Sequence, residues 1–208
     1  MTVYSTRSVS PRRRAALRRR RLALLVVGVA AVAIGVYAAM PAVKKAYNNL
    51  TLPLAYSSII RQQAAQKHLD PALVAAVIYA ETKFDPSTSS AGAEGLMQIL
   101  PQTAQFLAKR SGATSFSVSD LSTPEVNIAY GSYYLRYLLD EYRGNEVLAL
   151  AAYNGGEANV NRWVSQERSE GRPLTVGEIP YPETKAYVTK VMQTQQQYRQ
   201  QYASQLGL

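Results

Sequence analysis

Residues 22–40 run for 19 positions without a charge or a strongly polar side chain. Such a run has few ways to fold. As an α-helix it spans about 28 Å, close to the ~30 Å hydrocarbon thickness of a bilayer. Eight arginines between Arg7 and Arg21 precede it, and only Lys44 and Lys45 follow closely. That asymmetry sets an N-terminus in the cytoplasm and the rest of the chain across the cytoplasmic membrane. A cleaved signal peptide is the competing reading, although its apolar core usually spans ~7–15 residues. The expected order is a basic cytoplasmic tail over 1–21, a transmembrane anchor over 22–40, a linker over 41–53 and a folded domain over 54–208.

The formal charge of +9 belongs to the tail. Residues 1–69 hold no acid, whereas from Asp70 onward fourteen acids outnumber eleven Lys and Arg, a balance of −3. The arginine run beside an apolar segment sets topology and meets anionic lipid, and no nucleic-acid partner is expected. The chain has no cysteine and one histidine, His68. Disulfides, thiolate zinc sites, cysteine nucleophiles and multi-histidine metal centres are thereby excluded, and no metal or cofactor is expected.

Beyond the linker the pattern is mostly helical. Helices are predicted over 54–67, 71–82, 101–109, 124–142, 146–153, 157–164 and 183–205, with a Ser-, Gly- and Ala-rich segment over 84–98 that has room for short strands. Asp70 reads as an N-cap and Pro71 as a first helical position; Thr123-Pro124 follows the same logic. After Pro71, Val74, Val77, Ile78 and Glu81 fall on one stripe at helical spacing. A carboxylate on an apolar stripe is costly to ionise, so its pKa should rise. Its place near a helix C-terminus pushes the same way. A carboxylic acid kept protonated near neutral pH is what a general acid requires.

The run Glu81-Thr82-Lys83-Phe84-Asp85-Pro86, followed by Ser89-Ser90-Ala91-Gly92-Ala93-Glu94-Gly95-Leu96-Met97-Gln98-Ile99 and Pro101, resembles the signature of the soluble-type lytic transglycosylases. Three further blocks agree in order: Asn127-Ile128 to Tyr134-Leu135, Ala151-Ala152-Tyr153-Asn154-Gly155-Gly156, and Glu183-Thr184-Lys185-Ala186-Tyr187-Val188. The resemblance covers about residues 52–202. It implies a mainly α, goose-type lysozyme-like domain with a small strand-rich lobe. It also implies cleavage of the β-1,4 bond between N-acetylmuramic acid and N-acetylglucosamine in peptidoglycan, with a 1,6-anhydro-muramic product. By resemblance Glu81 is the single catalytic acid and base, and Ser89, Gln98, Tyr153, Asn154 and Glu183 bind substrate. Thr82 stands where the family usually has serine, and Gly155 where it has alanine.

A glycosidase with two working carboxylates holds them about 5–5.5 Å or ~6.5–9.5 Å apart. Asp85, Glu94, Asp120 and Glu183 are available as seconds, and the sequence singles out none. A muramidase of the same fold and a non-catalytic peptidoglycan-binding envelope protein are the alternatives. The expected partners are glycan strands and, through the N-terminal helix, the cytoplasmic membrane, with the catalytic domain on the cell-wall side. The oligomeric state is open. Met97 is expected in the core and Trp163 as a helix anchor, with one or two of Tyr130, Tyr133, Tyr134 and Tyr137 bordering the cleft. Gly92 and Gly95 read as turn formers or as points of close glycan approach.

Overall fold

The computed structural model describes residues 24–40, 52–169 and 171–208. The basic tail, the first two positions of the expected anchor and most of the linker lie outside the described residues. Residues 24–40 form a helix, α1, with its apolar side chains exposed. Among the described residues no helix is long and apolar enough to cross a membrane.

The second unit, Leu52–Leu208, is built from helices α2 (Ser57–Gln66), α3 (Pro71–Thr82), α4 (Pro101–Ser111), α5 (Pro124–Glu141), α6 (Glu146–Gly155), α7 (Glu157–Ser169), α8 (Pro182–Gln201) and α9 (Ala203–Leu206). Two 3-10 turns, Val118–Ser122 and Val176–Glu178, join them. The unit begins firmly: the Tyr198 hydroxyl donates to the carbonyl of Pro53, and that of Tyr202 to Leu52.

Helix α3 is the axis of the fold. Asp70 caps it through Oδ1, which accepts from the Ala72 amide at 3.0 Å, as the sequence indicates. Every residue from Ala72 to Ile78 is buried, so the helix has no single apolar stripe. It is apolar all round, the mark of a central helix, and Glu81 emerges where that burial ends. The Thr123 side chain, by contrast, makes no capping hydrogen bond, and α5 starts on Pro124 alone.

Helix α8 is the main partner of α3 and runs antiparallel to it, as two tethers show. At the start of α3, Asp70 Oδ2 accepts from Gln195 at 2.7 Å and from the Arg199 guanidinium at 3.0 Å. At its end, Lys190 Nζ donates to the Ala80 carbonyl at 3.1 Å. The first tether leaves one Asp70 oxygen free for the cap, so one carboxylate fixes both the start of α3 and its register on α8.

Between α3 and α4 the expected strand-rich lobe is a stack of turns. Two isolated bridges, Thr88 with Glu94 and Glu94 with Ile99, are the strand-like pairings found there. The physical reason is local. Gly92 (φ 78°), Gly95 (φ 72°) and Gln98 (φ 49°) sit in the left-handed region, which reverses the chain before a ladder can extend.

Candidate active site

The turn segment is held against the helices by side chains that leave little freedom. Thr82 Oγ1 donates to the Leu96 carbonyl at 2.8 Å, so the hydroxyl at the end of α3 ties the turns to the residue beside Glu81. From below, fully buried Asn127 of α5 accepts from the Met97 amide at 2.8 Å and donates to the carbonyls of Glu94 at 2.8 Å and Leu121 at 2.9 Å. Gly95 rests directly on it: a Cβ there would meet Asn127 Nδ2 at 2.2 Å. Gly95 is therefore required by its packing against α5. Gly131 is similarly filled by Met97, whose Sδ would lie 2.4 Å from a Cβ. Met97 is buried in the core, and Trp163 is buried at 4% exposure with its ring edge-on to Tyr181; both match their expected roles.

Glu81 sits half-buried at the last turn of α3. Burial pushes its carboxyl up to about 7, while the Tyr187 hydroxyl and the Lys190 ammonium act in the opposite direction. Tyr187 is nine-tenths buried, and its hydroxyl has no hydrogen-bond partner at ordinary geometry; it faces the Glu81 carboxyl closely enough to hold its pKa down. Lys190 also lies over the Tyr79 ring, 5.2 Å from its centroid. Burial and the nearby Lys83 lower the Lys190 pKa, and Glu81 raises it.

Tyr153 links this carboxyl to an open hollow. Its hydroxyl donates to the Met97 carbonyl at 2.9 Å, and its pKa is raised by burial and then by the Glu81 charge. Its ring lines a hollow of about 340 Å³ together with Gln98, Tyr134, Asn154 and Gly156. Tyr153, Asn154 and Gln98 thus line one hollow, and Glu81 stands near enough to Tyr153 for its charge to raise that phenol's pKa.

The Gln98 amide nitrogen is committed to the protein, donating to the carbonyls of Ser87 at 2.7 Å and Gly95 at 2.8 Å; only its oxygen is left for a ligand. Ser89 Oγ accepts from the Ala93 amide at 3.0 Å and closes a turn. Glu183 is exposed in the first turn of α8, and the side chains that tune Glu81 from that helix are Tyr187 and Lys190. Tyr187 stands inside a block singled out in the sequence, yet only the antiparallel packing of α8 on α3 reveals what it meets. Lys190 and the clamping role of Asn127 carry no local signal.

Gly155 closes on α8: a Cβ there would lie 3.0 Å from Thr184 Oγ1. An alanine here would require a small shift of that side chain.

The family model described as the Transglycosylase SLT domain matches residues 58–175, more than half of the chain. The soluble lytic murein transglycosylase of Escherichia coli (strain K12) is 34% identical over 152 residues, covering 71% of this chain and 23% of that protein. The membrane-bound lytic murein transglycosylase C of Edwardsiella ictaluri is 30% identical over 167 residues, covering 69% of this chain and 46% of that protein. Among solved structures, the 70 kDa soluble lytic transglycosylase of Escherichia coli aligns with a TM-score of 0.67 at 32% identity, over 72% of this chain and 25% of the other. An inactive glutamate-to-glutamine mutant of the lytic transglycosylase Slt from Pseudomonas aeruginosa gives 0.67 at 29% identity, over 74% and 25%. The chain spans about a quarter of the length of these soluble relatives. With this match, and with the helical fold shared with these structures, the chain belongs to the Transglycosylase SLT domain family.

Proposed function

We propose that the chain is a peptidoglycan lytic transglycosylase with Glu81 as its one catalytic acid and base. The observation that carries this reading is a carboxyl with a pKa near 7 beside the cleft wall formed by Tyr153. In its protonated form Glu81 donates to the glycosidic oxygen as the β-1,4 bond between N-acetylmuramic acid and N-acetylglucosamine breaks. The muramic C6 hydroxyl then attacks C1, and the Glu81 carboxylate takes that hydroxyl's proton. The enzyme ends in its starting form, no water is consumed, and the product carries a 1,6-anhydro ring. A pKa near neutrality suits both halves, because the same group must give and take a proton.

The other acids support a single-carboxylate scheme over a muramidase. Asp85 and Glu183 are exposed, Glu94 accepts from Thr88 at 2.8 Å, and Asp120 accepts from the Ser117 amide at 2.9 Å. None of them contributes to the ionisation of Glu81. Asn154 and the free oxygen of Gln98 are assigned to sugar amides and hydroxyls. Ser89 is assigned to shaping the turn beside the cleft, and Glu183 to its rim.

Anchoring at the cell membrane with a cell-wall-facing domain is part of the same proposal. It rests on the arginine-flanked apolar run and on the exposed apolar side chains of α1. The experiment is clearance of purified peptidoglycan by the chain and by Glu81→Gln. The expected result is a loss of at least about a hundredfold in rate, the lower end of what general acid–base catalysis supplies. Equal rates would overturn the assignment of Glu81.

A further inference from the structure

Lys190 grips the last turn of α3 at the two residues that precede Glu81. Its Nζ donates to the Ala80 carbonyl at 3.1 Å and lies 5.2 Å from the centroid of the Tyr79 ring. It reaches them from α8, one turn beyond Tyr187. The far end of the same helix pair is fixed by Asp70, which holds Gln195 and Arg199, so Lys190 is set in register by a contact remote from the site. The side chain is half-buried. Among the described residues no acid stands in ion-pair contact with it. One of its three donors is used on Ala80, and the carboxyl that its charge acts on is that of Glu81.

We infer that Lys190 is a positioning residue of the reaction: it holds the turn that carries Glu81 and stabilises the carboxylate that exists between the two proton transfers. The inference rests on the reading of Glu81 as the acid and base, and deepens it. Burial alone favours the neutral acid, which suits the resting enzyme and resists release of the proton. On cleavage that proton passes to the glycosidic oxygen, which keeps the electron pair of its bond to C1. On ring closure the C6 oxygen bonds to C1 and its proton returns to Glu81. Lys190 gains and loses no proton. In both transition states Glu81 carries part of a negative charge that the resting form lacks. A fixed cation lowers both relative to that form, whichever of them limits the rate. The groups facing Glu81 are Tyr187 and Lys190 from α8 and Tyr153 from α6, and Lys83 faces Lys190 from the C-cap of α3. Tyr187 acts on Glu81 as a neutral donor and Lys190 as a charge.

The test measures kcat and KM of the full chain on solubilised, uncrosslinked peptidoglycan strands across the pH–rate profile. Lys190→Gln keeps an amide donor for the Ala80 carbonyl and removes the charge. It should lower kcat about 3- to 10-fold, the size expected when one nearby, partly solvated charge is lost. KM should stay as it is, because Lys190 acts through Glu81 and not on the sugar. The alkaline limb should move to higher pH, since Glu81 then holds its proton more tightly. Lys190→Arg keeps the charge and should recover most of kcat and return the limb toward its wild-type place. Lys190→Gln with the kcat and limb of wild type overturns the inference. So does a fall in kcat with the limb unmoved, or one that Lys190→Arg shares in full, because a merely structural role predicts both. Glu81→Gln run beside them separates the two readings. If it cleaves as fast as wild type, the assignment of the acid falls and Lys190 falls with it. If it is inactive while Lys190→Gln matches wild type, Glu81 stands and the role of Lys190 alone is refuted.

Discussion

Replacing Glu81 by glutamine should stabilise the fold, and by an amount that depends on pH. A carboxyl whose pKa rises from 4.5 to about 7 on folding favours the folded state while it is protonated. That contribution is fully present below the unfolded pKa and is lost as pH rises through 7. Above neutrality the wild-type chain must hold a half-buried carboxylate that the unfolded chain would solvate freely. At 1.36 kcal/mol per pKa unit the difference has an upper bound of about 3 kcal/mol. Solvent reaching the partly exposed carboxyl reduces this, so about 2 kcal/mol is expected. Glutamine cannot ionise and avoids the penalty. For a unit of this size each kcal/mol moves the melting temperature by roughly 2–4 °C. Glu81→Gln should therefore melt roughly 4–8 °C above wild type at pH 8 and almost together with it at pH 4.5, by thermal unfolding followed with circular dichroism. Equal shifts at both values would refute the reasoning, because a packing effect of the substitution does not titrate. A lower melting temperature for the variant at pH 8 would contradict it outright.

Two further substitutions test the supports of the site. Asn127→Ala leaves the Met97 amide and the Glu94 and Leu121 carbonyls without their partner; at roughly 1 kcal/mol per hydrogen bond it should destabilise by about 2–4 kcal/mol in urea unfolding, and a loss below about 1 kcal/mol would contradict the clamp. Tyr187→Phe removes a buried hydroxyl that has no regular partner and holds the Glu81 pKa down. Stability should change by less than about 1 kcal/mol, while the alkaline limb of the pH–rate profile moves to higher pH; a limb that stays put or moves down would refute the role.

Much of this was legible in the chain, for local reasons. Asp70-Pro71 set the start of α3, and the Leu100-Pro101 junction set that of α4, because caps and proline act within one turn. Thr123 misled, since its position was right and its side chain is not used as a cap. The stripe carrying Glu81 was half the truth: helix period was present, but a helix buried on all sides shows no moment. The segment over 84–98 admitted strands by composition, yet its left-handed residues reverse the chain too often. What was illegible depends on distant pairs. Lys190 reaches Ala80 and Asn127 reaches Met97 only because α8 and α5 pack where they do, and no spacing within one segment encodes that.

The central claim concerns the bond formed after cleavage, and the mass of the product reads it directly. Muropeptides released from purified peptidoglycan by the full chain should carry 1,6-anhydro-muramic ends when analysed by mass spectrometry. Reducing ends, one water heavier, would contradict the single-carboxylate mechanism and make the enzyme a muramidase with a water nucleophile.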